Sequence, residues 1–365
     1  MGSSLRKFSV GLLIGIAAIG CVPPLAARAS SHALLVPSPA YPSIQAAVDA
    51  ARPGDQIKVR PGRYREQVSI GKSLTITGSG ARSTLIVAPE KLVAGEDGQN
   101  SIVEVRAGAS VRITQIGVTG PAAGSCDDNA LEAGIRVLGG AHLDLSLARV
   151  THIRNSPIVG CFHAGNGILV GIITDPASGS ANIRDSEISD YGRKGIIILS
   201  EGPGTITRNH IIGPTGLSAD GIDALFAEST ISYNVVSGNV CPSGCGPDPI
   251  NDIQKFAILF GGGPHTVVTH NLAYANQVGL FGLGGDTAIE DNLLLHNTLY
   301  GLFVADGDFT PRGDLILGGV SGFVAATLSA DTHADVSGER ILGSSGPPVI
   351  TEECCGFTAT VSGGP

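Results

Sequence analysis

Eight short segments, each a small residue followed by apolar ones, recur through the chain: GIRVL at 134, GILVG at 167, GIIIL at 195, GIDAL at 221, AILFG at 257, GLFGL at 279, GLFVA at 301 and GFVAA at 322. They are 33, 28, 26, 36, 22, 22 and 21 residues apart. A second element, ITRN, ISYN, VTHN and IEDN, ends at Asn209, Asn234, Asn271 and Asn292, and Asn239, Asn276 and Asn297 follow the last three by five residues. A period of about 22 residues, with short strands and Asn at the turns, describes a solenoid whose coils stack about 4.8 Å apart. Asn at equivalent turns can hydrogen-bond from coil to coil and to turn backbone, which makes these residues structural, and no catalytic role is assigned to them.

The fold class implied is all-β: a single-stranded right-handed parallel β-helix with a short N-terminal capping helix. No helical pattern separates the repeats, as a leucine-rich horseshoe would require, and sandwich strands have no fixed period. With 52 glycines, no Trp and 15% charged residues, the composition suits short strands and tight turns. Alternation places Ile135, Ile168, Ile196, Ile222, Ile258, Leu280, Leu302 and Phe323 in one inward row. Val137, Val170, Ile198, Ala224, Phe260 and Val304 form a second, with Gly282 as its gap. A net charge of -9 with no basic stripe argues against a nucleic-acid partner.

Arg6 and Lys7 precede the apolar run Val10 to Val22, and Ala27-Arg28-Ala29 follows with a small-x-small pattern, so 1–29 reads as a signal peptide cleaved near Ala29. A lipoprotein acylated at Cys21 is the lesser alternative. Thirteen apolar residues are too few for a membrane-spanning helix. The mature protein is expected to be secreted or periplasmic, with the β-helix over 30–345 and a tail over 346–365. Export permits disulfides. Cys126 and Cys161 are one coil apart and should pair, Cys241 and Cys245 can close a small loop, and the partners of Cys354 and Cys355 stay open. No transition-metal motif occurs.

The stretch YPSIQAAVDAARPGDQIKVRPGRYREQVSIGKSLTITGSG (41–80) reads as a short amphipathic helix followed by strands broken at Pro-Gly. It closely resembles the opening of the pectin-lyase-like superfamily, which includes pectinesterases and the NosD-type repeat proteins. The resemblance implies a helix that plugs the open end of the core, with structural roles for Tyr64 and Glu66.

Along the repeated strands the outward row runs Arg136, Leu169, Ile197, Asp223, Leu259, Phe281 and Phe303, in which Asp223 is the lone acid among apolar neighbours. The residues just before the strands are Asn166, Lys194, Asp220, Phe256, Val278 and Tyr300, which sets Lys194 beside Asp220. Arg193 and Lys255 sit one residue earlier, and the loop 240–253, with Asp248 and Asp252, hangs alongside. Asp220, Asp223 and Lys194 are the catalytic candidates. Arg193, Lys255, Asp248, Asn166 and Phe281 are the substrate-binding candidates. An apolar wall raises a carboxylate's pKa, which would suit Asp223 to acid–base work. The bland alternative is a set of surface salt bridges between turns.

Asp220-Gly221-Ile222-Asp223 resembles the Asn-Thr-Asp-Gly-Ile-Asp segment of polygalacturonases, in which the first Asp is catalytic, although that family's further Asp-Asp, Gly-His-Gly and Arg-x-Lys motifs are absent here. Gly246-Pro247-Asp248-Pro249 is similar to the Gly-x-Asp-Pro-His motif of mannuronan epimerases and related lyases, with Ile250 at the histidine position. Two chemistries suit the cluster. One is hydrolysis, with Asp220 and Asp223 about 10 Å apart as an inverting pair. The other is β-elimination or epimerisation of a uronate, its carboxylate neutralised by Lys194, Arg193 or Lys255. No cofactor is assigned, and Ca2+ held by Asp220, Asp223, Asp248 or Asp252 could supply the same neutralisation. The expected partner is a polysaccharide or oligosaccharide, most simply an acidic, uronate-containing one. The competing classes are a non-catalytic β-helix that binds a surface polysaccharide or protein, and an enzyme for an apolar non-sugar substrate.

Overall fold

The computed structural model describes residues 32–364 except 96–97, 159–160, 162–163, 173–178, 200–201, 218, 243–247 and 249–254. The expected leader, 1–29, lies outside the described residues.

The chain winds as a right-handed parallel β-helix. One wall is an 11-stranded sheet that begins at Val68–Ile70 and ends at Val349–Glu352, and a 21-stranded sheet supplies the other strands of each coil. The helix Ile44–Ala50 caps the first coil: Ser43 Oγ accepts from Ala46 N at 3.1 Å, and Glu66 accepts from Ile44 N at 3.0 Å and Gln45 N at 2.8 Å. Ile44, Ala47 and Val48 join the core, so both the plug and the structural role of Glu66 are as expected.

The inward rows stack in register from coil to coil, Ile168 on Ile196 on Ile222 on Ile258 on Leu280, and all eight members of the first row are fully buried. Each such side chain stabilises the fold by about 1.5–3 kcal/mol. In the second row the gap at Gly282 is filled by neighbours, since a Cβ there would lie 3.2 Å from both Phe260 Cζ and Phe309 Cε1. The small first residue of the repeat has a related cause. A Cβ on Gly195 or Gly221 would stand 2.5 Å from the carbonyl oxygen of Gly221 or Ala257 on the following coil. The close stacking of coils therefore demands glycine.

The Asn residues form two buried ladders. Asn234 Oδ1 accepts from Asn209 N and Nδ2 at 3.0 and 3.1 Å, and Asn271 and Asn292 continue the pattern upward. Asn239, Asn276 and Asn297 repeat it at the next turn. Arg208, Tyr233, His270 and Asp291, each preceding a ladder Asn, adopt φ of 54–57°. The ladder's hydrogen bonds offset the roughly 1 kcal/mol or more that such a conformation costs.

The coils continue past residue 345. Val349–Glu352 pairs in parallel with Ser321–Ala326, and Ala359–Ser362 pairs with Thr332–Asp335, so the expected tail adds two strands to the stack. Apolar residues at Val349 and Val361 pack on the core and carry the chain onward. Cys126 and Cys161 are bonded with Cα atoms 5.1 Å apart, Cys354 is bonded to Cys355, and Cys241 is disulfide-bonded while Cys245 lies outside the described residues. No helix among the described residues is long and apolar enough to cross a membrane.

Candidate functional site

The strands Lys194–Leu199, Asp220–Leu225 and Phe256–Gly261 pair so that Leu169, Ile197, Asp223, Leu259, Phe281 and Phe303 stack in that order. Asn166, Lys194 and Asp220 stack beside them, and Phe256 continues that line by pairing with Val278. Both rows are as the repeat pattern requires. Their exposure is not. Ile197 is 3%, Asp223 0% and Leu259 9% exposed, so the middle of the outer face is a covered interior and not a bare stripe.

Burial changes the chemistry. Lys194 Nζ pairs with Asp223 Oδ2 and lies 3.2 Å from Asp220 Oδ2, while Lys255 Nζ is 3.8 Å from the same Asp220 oxygen. Phe256 N donates to Asp220 Oδ1 at 3.3 Å. The two carboxylates therefore converge on one ammonium, and two hydrogen-bond lengths bound their separation at roughly 6 Å, well short of the 10 Å expected for straight strands. Lys194 Nζ lies between the two carboxylates, where an inverting hydrolase would hold its water. It also gives Asp223 a cationic partner in place of a purely apolar wall. Asp223 Oδ1 is buried and accepts no hydrogen bond, a costly condition for a carboxylate and common where a ligand or a reaction needs that oxygen.

Burial pushes the pKa of Lys194 below its ordinary value, an effect the charge of Asp220 opposes and those of Arg193 and Lys255 reinforce. Arg193, half-buried, makes no ion pair among the described residues, although its backbone N donates to Gly165 O at 3.1 Å. Among the described residues Lys194 and Lys255 converge on Asp220, and Arg193 adds positive charge near Lys194. Tyr191, not singled out in the sequence, lies fully buried behind them and donates from its hydroxyl to Asn239 Oδ1 at 2.5 Å. Burial, with the negative charge of Asp220, raises its pKa well above the usual phenol range. The signal for it was its place three residues before Lys194 in the same turn.

The remaining candidates separate. Asn166 is 2% exposed and its Nδ2 donates to Glu132 O at 3.0 Å. Phe281 is half-buried between Phe256 and Phe303, with ring centroids 4.9 and 4.5 Å away. Asp248 is exposed, and Asp252 with most of the expected loop wall lies outside the described residues. Among the described residues no three His, Cys, Asp or Glu gather as a metal site; of the four acids considered for Ca2+, Asp220 and Asp223 pair with Lys194 and Asp252 lies outside the described residues.

The sequence family described as "Right handed beta helix region" matches residues 170–341. No curated protein matches the chain. Among solved structures, the chain is similar to the DFA-IIIase of Arthrobacter chlorophenolicus A6, determined without its lid in complex with GF2, at 14% identity and a TM-score of 0.61, covering 92% of this chain and 95% of that one. It is similar to the GH136 lacto-N-biosidase of Eubacterium ramulus at 13% identity and a TM-score of 0.54, covering 91% and 68%. It is also similar to the Dettilon tailspike protein at 13% identity and a TM-score of 0.51, covering 85% and 63%.

Proposed function

We propose that this chain, which has the right-handed β-helix fold of the pectin-lyase-like superfamily, is an exported carbohydrate-active protein that abstracts a proton from an acidic, uronate-containing glycan. The observation that carries the reading is the convergence of Lys194 and Lys255 on the buried Asp220–Asp223 pair, with Arg193, which makes no ion pair among the described residues, one residue before Lys194. The fold neighbours named for sugar-processing enzymes are consistent with a glycan ligand, and the disulfides are consistent with an oxidising compartment.

In this account the Arg193 guanidinium, with Lys255 beyond it, receives the uronate carboxylate as a planar, charge-assisted contact. Neutralising that carboxylate acidifies the C–H next to it. Lys194, its pKa lowered by burial, takes the proton as a neutral amine. The C–H bond breaks, an N–H bond forms, and the electron pair enters the carboxylate as an enolate. Loss of the neighbouring glycosidic oxygen, protonated as it leaves by the Lys194 ammonium just formed, gives elimination, and delivery of a proton from water to the opposite face gives epimerisation. Asp220 and Asp223 hold the Lys194 amine in place, with the fully buried Asp223 a positioning residue.

The test incubates the mature protein with a panel of uronate polymers, following the ultraviolet absorbance of unsaturated uronates and the epimer composition by NMR. Reaction of one polymer, insensitive to chelator and lost in a folded Lys194→Gln variant, is expected. Absence of reaction on every uronate polymer, or a reaction untouched by Lys194→Gln, would overturn the reading. Retention on an immobilised polymer without reaction would place the protein in the binding class.

A further inference from the structure

The outer face differs towards its two ends. Towards the N-terminus, past Ile197 and Leu169, the row in register with Asp223 becomes polar: Arg136 stacks on Glu104, Glu104 pairs with Arg106 at 3.4 Å, and a cleft of about 270 Å³ opens there beside Gln67 and Ser69. Towards the C-terminus the same row reads Leu259, Phe281, Phe303, Val324 and Ile350 without a polar side chain. These apolar coils form a second hydrophobic cluster, separate from the main core, built on Val278, Tyr300, Phe303, Ala305, Val324 and Ala326.

Exposure within that cluster is uneven in an informative way. Phe303 is 1% and Val324 0% exposed, whereas Phe256 and Phe281, the aromatic members nearest the ionic site, remain partly open with Leu283 beside them. Phe256 is also the residue whose backbone N–H holds Asp220, so the open aromatic pair begins where the ion cluster ends. Bare sugar hydroxyls seated on these rings would lose water without gaining hydrogen bonds from side chains in the row. An apolar group would instead bury surface favourably on both faces.

Resting on the uronate reading above, we propose that the substrate is an anionic saccharide that carries an apolar substituent, an acyl, alkyl or aryl group. Its carboxylate lies at Arg193 and its substituent on Phe256, Phe281 and Leu283. Arg193 and the apolar seat lie on one face with the Asp220 coil between them, and a ligand that reaches both must itself be charged at one end and apolar at the other.

The experiment measures binding of four probes at monomeric concentrations to the intact mature protein: octyl glucuronide, methyl glucuronide, octyl glucoside and methyl glucoside. Octyl glucuronide is expected to bind at least tenfold more tightly than methyl glucuronide. Phe281→Ala should erase that octyl preference while leaving the preference for glucuronide over glucoside. Leu283→Gln, at a partly open position, should reduce the octyl preference should Phe281→Ala fail to fold. Equal binding of octyl and methyl glucuronide, or an octyl preference unchanged in both variants, would overturn the apolar seat alone. Equal binding of octyl glucuronide and octyl glucoside would overturn the uronate reading and with it the combined substrate.

Discussion

Lys194 Nζ and Asp220 Oδ2 stand 3.2 Å apart across adjacent coils, and the same ammonium also holds the fully buried Asp223. Because Asp223 has no access to solvent, Asp223→Asn removes charge from a closed environment. Breaking such a pair costs about 3 kcal/mol or more. Chemical denaturation should show Asp223→Asn less stable than Asp220→Asn, whose site is 6% exposed. Equal stability of the two variants would mean that Asp223 is not the anchor of Lys194.

The lowered pKa of Lys194 has a kinetic sign. Below that pKa the amine is protonated and cannot accept a proton, so kcat/KM should rise with pH and level off below the ordinary Lys pKa of 10.5. A pH–rate profile of the wild type should show this ascending limb, and a folded Lys194→Gln variant should lack it.

How much of this was legible in the sequence depends on what repeats. The core rows, the outward row through Asp223 and both Asn ladders follow from alternation and period, because each coil repeats the last, and the structure reproduces them residue by residue. Exposure, convergence and charge balance were not legible. Alternation puts Asp223 on the outer face but says nothing of what covers that face. Straight-strand geometry separates Asp220 from Asp223, whereas one flexible Lys side chain draws them together. The strand Val349–Glu352 was missed because its coil lacks the Gly-apolar start that marks the others.

The ladder makes its own prediction. Asn234 Nδ2 donates to Ile206 O at 2.8 Å and to Asn271 Oδ1 at 3.0 Å, while its Oδ1 serves Asn209. Asn234→Ala leaves buried donors and acceptors unpaired and should cost about 1–3 kcal/mol for each. Urea titration should show this loss. A variant as stable as wild type would contradict a structural role for the ladder.

Where the first ladder ends, Asn292 donates from N to Asp314 Oδ1 at 2.6 Å, and Glu339, 3% exposed, lies against Asp314. Burial, together with the charge of Asp314, pushes Glu339 up to about 8, and burial with a smaller contribution from Asp291 pushes Asp314 up to about 6. Both folded pKa values exceed the unfolded ones, so the folded state binds more protons. This contribution is fully present below the unfolded pKa values and is lost as pH rises through about 8. Urea midpoints should fall from pH 5 to pH 9, and Glu339→Gln should flatten that slope. A slope unchanged in the variant would place its origin elsewhere.

The central claim is that Arg193 receives a uronate carboxylate at mid-helix, and calorimetric titration of an oligouronide into wild type and Arg193→Ala tests it most directly. Arg193 makes no ion pair among the described residues, so its removal should leave the unfolding midpoint unchanged. Loss of a charge-assisted contact should nonetheless weaken binding about tenfold or more. Unchanged affinity in Arg193→Ala, or a wild type that binds neutral oligosaccharides as tightly as oligouronides, would contradict the account.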